Sequence, residues 1–191
     1  MTMWHLIRRS ALALLTVWGT SFFVSAPEDG VTETNACDGR HFVAPRRQRP
    51  QVGLRLVATE RMPDAAFRGA EIYLVEHGPR GTVGVITNRP LQLRHAPLTL
   101  HDGGPVGKDA VLFLHSQDYT AAGTVALGPG VALTATPDAI HDVLEGKGPA
   151  RWFLAWGYAG WKPGQLEGEL ATGVWRLEEG SPSFLVPFTL P

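Results

Sequence analysis

The sequence predicts an α+β domain: mainly an antiparallel or mixed β-sheet, barrel-like, with two or more short helices packed on it. Three observations lead there. Runs of β-branched and aromatic residues outnumber stretches with a helical period. The 22 glycines and 15 prolines punctuate the chain too often for a helical bundle. The 44% hydrophobic and 18% charged composition is that of a protein able to build a core.

The organised part of the chain begins near Val52. Leu54, Leu56 and Ala58 alternate with Arg55 and Val57, which predicts a first strand. Residues 71–76 and 82–87 are rich in β-formers and read as two strands of a hairpin, with 77–81 (His-Gly-Pro-Arg-Gly) as its loop. Further strands are expected at 110–115, 124–127, 131–135 and 151–156. Residues 174–177 and 183–188 close the chain as edge strands, the second because Pro182 and Pro187 cannot donate to a central ladder.

One helix is well marked. Thr136 stands at its N-cap, Pro137 at its first position, and Asp138 complements the positive end of the dipole. Ile140, Val143 and Leu144 form its apolar stripe, and Gly146 ends it. A second, shorter helix is expected over 164–171, where Leu166 and Leu170 are four apart.

Ahead of the domain, residues 1–26 have the parts of an export signal. Arg8 and Arg9 precede an uncharged, mostly apolar 16-residue run from Ala11 to Ala26, and Val24-Ser25-Ala26 offers small residues for cleavage. As a helix the run would reach about 24 Å at ~1.5 Å per residue, short of a hydrocarbon core ~30 Å thick. A signal peptide is therefore expected, with a retained membrane anchor over residues 7–26 as the alternative. The protein is expected to be periplasmic, exported or membrane-anchored, and cytoplasmic if the start site is misassigned. Residues 27–51 read as a disordered linker that ends in a basic patch, Arg40, Arg46, Arg47 and Arg49, broken by Pro45 and Pro50. Residues 52–191 are then the domain.

Charge and cysteine content exclude some classes. Of 17 basic residues two lie in the leader, which has no acid, so 15 remain against 18 acidic ones, or −3. A duplex nucleic-acid binder usually carries a basic excess, so no clear nucleic-acid binding is expected. Cys37 is the one cysteine, and no internal disulfide can form.

Several motifs occur in order. Met62-Pro63-Asp64 with Phe67, Ile72-Tyr73-Leu74-Val75-Glu76-His77, and Gly84-Val85-Ile86-Thr87-Asn88-Arg89-Pro90 come first. Gly103-Gly104-Pro105-Val106 and Leu114-His115-Ser116 follow. Gly157-Tyr158-Ala159-Gly160-Trp161, Gly164-Gln165-Leu166-Glu167 and Trp175 complete the series. In order and spacing, over about residues 54–178, this set resembles the YqgE/AlgH family. The resemblance implies a β-rich, barrel-like α/β domain and no established biochemical activity. One branch of that family carries a transcriptional-regulator label. The leader, the 12-residue stretch between Pro90 and Gly103, and the short end after Trp175 depart from the family's usual pattern.

The residues also allow a chemical reading. Pro90 keeps Arg89 out of helical geometry, so its planar fork is available to a carboxylate or phosphate. A structural ion pair with Asp64 or Glu76 is the competing role, with Asn88 holding a turn. Gly157 to Trp161 is expected to join a strand to a helix, where backbone N–H groups can face an anion. No P-loop and no Gly-x-Gly-x-x-Gly pattern is present. His77, His115 and Asp102 show no metal-ligand spacing, so no metal and no cofactor are expected. His115 beside Ser116 permits a hydrolase reading that needs the two side chains to meet, and the Gly-x-Ser-x-Gly elbow is absent. The leading expectation is a non-enzymatic domain that binds a small anion or a protein partner. Its candidate surface is Asn88, Arg89, Gly103, Gly104, His115, Gly157, Gly160 and Trp161. A transcriptional regulator and a hydrolase are the alternatives.

Overall fold

The computed structural model describes residues 49–91, 99–134 and 136–187. The leader and nearly all of the linker expected from the sequence lie outside the described residues. Among the described residues no helix is long and apolar enough to cross a membrane.

Among the described residues eleven strands and two α-helices follow one another. They are β1 (Arg55–Ala58), β2 (Glu71–Gly78), β3 (Gly81–Ile86), β4 (Pro90–Leu91), β5 (Leu100–Asp102), β6 (Val106–His115), β7 (Thr124–Gly128) and β8 (Val131–Thr134). Helix α1 (Pro137–Leu144), β9 (Arg151–Trp161), α2 (Gln165–Thr172), β10 (Trp175–Glu178) and β11 (Val186–Pro187) complete the series. The main sheet runs β10-β1-β2-β3-β9-β6-β8-β7. Its pairings are antiparallel, and β5 lies parallel to β9. The whole forms a curled half-barrel. The curl brings Gly53, just ahead of β1, against β7: a Cβ on Gly53 would stand 2.8 Å from the Leu127 carbonyl oxygen.

β9 is the hub. Trp161 and Gly160 pair with Thr82 and Val83 of β3, Leu154 and Ala155 pair with Leu100 and His101 of β5, and Trp152 to Trp156 pair along β6. Seven of its eleven residues are buried, because both faces are covered. Phe153 and Ala155 join Tyr73, Val85, Leu112 and Leu114 on one face. Trp152 and Leu154 join Phe113 on the other, under Ala139, Ile140 and Val143 of α1. A third cluster packs Leu56, Ile72, Leu74, Ile86 and Trp161 against Leu166 of α2. Burial of each such side chain contributes roughly 1.5–3 kcal/mol.

The structure corrects several expectations. The hairpin loop is only two residues, Pro79 and Arg80, because Gly78 and Gly81 still pair. Of the strand expected over 183–188, the described residues form only Val186–Pro187. Pro182–Phe184 is a 3-10 turn, started by the Ser181 hydroxyl accepting from the Ser183 N–H, and only Val186–Pro187 pairs with β9. Thr136 occupies the N-cap of α1 but its hydroxyl makes no capping bond and is buried without a partner among the described residues. The stretch Gly157 to Trp161 is no strand-to-helix junction, since β9 runs through Trp161 and α2 begins only after a left-handed Gly164.

Candidate functional site

The glycines of two separate motifs meet in one backbone crossing. Gly103 donates its N–H to the Trp156 carbonyl (3.0 Å) and its carbonyl accepts from the Ile86 N–H (2.9 Å). A Cβ on Gly103 would collide with the Gly157 carbonyl oxygen, and one on Gly104 with the Tyr158 backbone. Gly157 itself has φ +75°, and a Cβ there would lie 2.7 Å from the Gly104 oxygen. Only residues without side chains let these backbones approach so closely. Positive φ at Gly157 is the mark of a β-bulge that the strand continues past.

Around this crossing the register of β6 on β9 jumps, from Val106↔Tyr158 to Val111↔Trp156. The extra residues of β6 arch out and present Lys108. Its ammonium sits 5.0 Å from the centre of the Trp156 ring and pairs with Asp102, whose carboxylate also accepts from the Gly104 N–H (3.3 Å). The Trp156 indole N–H donates to the Lys108 carbonyl, fixing the arch to the strand. Pro105 is exposed, Val106 is 41% exposed and Trp156 is half-buried. Lys108 and Trp156 were not among the residues expected from the sequence. The signal for them is the local glycine density on both partner segments, which marks a bulge.

Asn88 and Arg89 clamp the turn between β1 and β2. The Asn88 side chain accepts from the Glu71 N–H (3.1 Å) and donates to the Gly69 carbonyl (2.8 Å). Arg89 donates through Nη1 to the Ala66 carbonyl (2.5 Å) and through Nη2 to the Arg68 carbonyl (3.1 Å). The guanidinium fork thus grips backbone oxygens, where an ion pair with Asp64 or Glu76 was the structural alternative. Glu76 instead faces Arg80 at 3.9 Å, and burial raises its carboxyl above the ordinary range against the pull of that arginine.

His115 is fully buried at the far end of β6, opposite Trp152. Its Nδ1 lies 2.8 Å from the Ser116 carbonyl and its Nε2 2.8 Å from the Thr134 hydroxyl. A carbonyl only accepts, so Nδ1 carries the proton and Nε2 accepts from Thr134. The Thr134 oxygen is in turn 2.6 Å from the Thr124 hydroxyl. Burial pushes the imidazole below its ordinary pKa, opposed by the Ser116 carbonyl and by Asp118. Ser116 does not meet this ring. Its hydroxyl donates to Asp118 and accepts from the Arg151 N–H (3.1 Å). The Ser116 hydroxyl holds the Asp118 carboxyl below its usual range. The pair lacks the base-to-nucleophile contact on which the hydrolase reading depended.

Trp161 lies at the other end of β9. Its indole donates to Glu169 Oε2 (2.9 Å), as does that of Trp175 (2.7 Å), and Gln165 donates to Oε1 (2.9 Å). Phe67, Trp161 and Trp175 stack and edge around this carboxylate with ring centroids 5.7–6.3 Å apart. Gly160 is exposed beside it.

The eight expected residues therefore occupy different places. Gly103, Gly104 and Gly157 converge, with Arg89 adjacent because its carbonyl accepts from the Asp102 N–H (2.8 Å). His115 pairs across from Trp152, five residues along β9 from Gly157, or roughly 17 Å at ~3.3 Å per residue. Gly160 and Trp161 belong to the β3 side of the sheet.

Comparison with known proteins agrees with this architecture. A UPF0301 protein of Stutzerimonas stutzeri is 38% identical, covering 71% of this chain and 79% of its own length. UPF0301 protein Rru_A3059 of Rhodospirillum rubrum is 40% identical over 63% of this chain and 71% of its own. The solution structure of the AlgH protein from Pseudomonas aeruginosa superposes with a TM-score of 0.62 at 30% identity, covering 77% of this chain and 86% of that one. Protein DIP2367 from Corynebacterium diphtheriae superposes with the same TM-score at 25% identity, covering 74% and 82%. The family model DUF179, described as AlgH-like, matches residues 55–188, and the chain belongs to this AlgH-like family.

Proposed function

We propose that this AlgH-like domain acts by binding a protein partner rather than by catalysis, through the face formed by Pro105, Val106, Lys108 and Trp156. One observation carries the reading: the polar side chains at the expected site are spent on internal bonds, while this face sets exposed Pro105 and Val106 next to a lysine stacked on a half-buried tryptophan. Both nitrogens of His115, the Ser116 hydroxyl, the Asn88 amide and the Trp161 indole all have partners within the chain. By contrast, Val106 is 41% exposed and pairs with Tyr158, two residues along β9 from the half-buried Trp156, so an open apolar residue and a tryptophan lie at the same bulge, as at interface centres. The small-anion alternative has less support, because Lys108 is paired with Asp102 and Arg89 grips two carbonyls.

The test compares the full chain with Val106→Glu and Lys108→Glu in affinity capture with quantitative mass spectrometry. Any protein lost from both variants is then purified and its affinity measured. The expected result is a partner whose purified form binds the native chain and is weakened at least about tenfold by either substitution. Partners unchanged by both variants would reject the face. Saturable binding of inorganic phosphate, abolished by Lys108→Glu, would restore the anion reading.

A further inference from the structure

The segment that follows β10 crosses the face of the sheet that carries Tyr73 and Phe153. It leaves β10 at Glu178 and reaches β9 as β11, where Val186 pairs with Trp152. Gly180 passes so close to the start of the domain that a Cβ on it would stand 1.7 Å from the Gly53 carbonyl oxygen. Pro182 then lies against the β7–β8 turn, 3.5 Å from where a Gly130 Cβ would be. Phe184 packs on Tyr73 and on Phe153, with ring centroids 5.1 and 5.2 Å apart. Leu185 is 1% exposed and joins the same core cluster, with Leu127 and Val131.

Little else holds this segment down. Of residues 181–187 only Leu185 is buried, while Ser181, Ser183, Val186 and Pro187 are exposed. The Ser181 hydroxyl bonds within the segment, as does the Leu185 N–H, which donates to the Pro182 carbonyl. From the rest of the described chain, the one side-chain bond is Arg151 Nε donating to the Leu185 carbonyl (3.0 Å). β11 is two residues long, and Pro187 has no N–H to give to the ladder. β11 is also the last described element, so the segment can lift without drawing another described strand with it. Few buried contacts are the mark of a part that opens on its own.

We propose that residues 180–187 are a displaceable strap, and that the groove beneath them binds an extended peptide of another protein with the strap's own pattern. That pattern is a proline, then an aromatic residue followed directly by leucine. The strap itself shows the fit. An aromatic ring sits against Tyr73 and Phe153, a leucine enters the cluster, and Arg151 and β9 hold the backbone. These last contacts favour a peptide over an acyl chain, which has no carbonyl to offer there. Addition of an extended peptide to a strand is a common recognition mode. Strap and peptide compete for one place, so the apparent affinity is reduced by the fraction of molecules that are closed. No groove residue belongs to the Val106–Trp156 face, so this inference does not rest on the partner proposed there.

The test uses the full chain and a fluorescent peptide of residues 180–187, followed by polarisation. Leu185→Ser weakens the strap from within. Gly180→Val drives a side chain against Gly53 and lifts the strap while leaving the groove unchanged. Both variants should bind the peptide at least about tenfold more tightly than the native chain. A peptide with serine in place of its phenylalanine and leucine should bind none of the three. Variants that keep their circular dichroism but bind no better than the native chain would overturn the proposal. So would a fatty acid that occupies the groove where the peptide does not. Should both variants unfold, amide exchange of the native chain decides. Leu185 should exchange at least about tenfold faster than Leu114 in β6. Equal rates would mean that the strap opens only with the whole domain, and would overturn it.

Discussion

The Thr134 hydroxyl donates to Nε2 of His115 across 2.8 Å in the core, a direction fixed by the Ser116 carbonyl on the other side of the ring. The neutral Nδ1–H form is therefore the one the fold accommodates. A doubly protonated ring would have to turn the Thr134 hydroxyl round to accept, and would hold an imidazolium charge away from water.

Acid should accordingly weaken the fold through this residue. The folded-state pKa of His115 is lowered by burial, so below about 6.5 the unfolded chain binds more protons than the native one. The stabilisation is complete above that value and is lost as pH falls through and below it. Urea midpoints at pH 7.5 and pH 5 should differ for the native chain, and His115→Gln should reduce that difference. An unchanged difference would remove His115 as its source.

Thr134→Val keeps the shape and removes the donor. Nε2 is then a buried acceptor without a partner, at a cost of about 1–3 kcal/mol measured by denaturant unfolding. A smaller loss would mean that another donor reaches the ring.

Two glycines of one motif should respond oppositely. Gly157 has φ +75° with the Gly104 and Val106 carbonyl oxygens 2.7 and 2.8 Å from the position of a Cβ. Gly157→Ala should destabilise by roughly 2 kcal/mol or more, from left-handed strain and the clash together. At Gly160 the nearest atom to a Cβ is Tyr158 Cε2 at 3.7 Å, so Gly160→Ala should fall within about 0.5 kcal/mol of the native chain. Thermal melts of the two variants distinguish a bulge from a loop that needs glycine at both places.

Glu169→Ala leaves the Trp161 and Trp175 indoles without their shared acceptor. Both rings are nearly buried, and each stranded N–H should cost about 1–3 kcal/mol. Glu169→Gln retains an acceptor oxygen and should recover much of the loss. Unfolding curves followed by tryptophan fluorescence read both effects, and equal losses for the two variants would contradict the bond assignment.

Arg89→Ala should loosen the turn between β1 and β2 rather than a ligand. Two carbonyl contacts disappear, and amide exchange at Glu71 and in the preceding turn should accelerate. Unchanged exchange there would show that the guanidinium is not what holds the turn.

Part of the sheet was legible because side chains alternate where one face is buried, as Leu54, Leu56 and Ala58 show. Residues 71–76 were legible instead as a run of β-formers, because both faces are covered and Ile72 and Tyr73 lie in different core clusters. β4 and β5 are two and three residues long, too short to give a period. β9 was read as ending at Trp156 because Gly157 looks locally like a turn; its pairing with β3, supplied by residues more than seventy positions earlier, carries the strand onward. The same distance effect hid the site. Nothing near Arg89 in sequence announces that its partners are Ala66 and Arg68. His115 and Ser116, adjacent in the chain, send their polar atoms to different neighbours. The ordered motif set carried more information than any one residue, since it reflects the packing of the whole domain.

The position of β9 also bears on how the protein is made. β2 and β3 can pair as soon as both are synthesised, but the next neighbour of β3 is translated only after β4 to β8 and α1. During that interval the growing chain holds two partial sheets with unsatisfied borders. Association of β9 must then join them in one late event, with its many long-range contacts formed together. Until then the open border of β3 is exposed to chaperones and to neighbouring nascent chains, so synthesis is the stage at which this fold is most prone to misassembly.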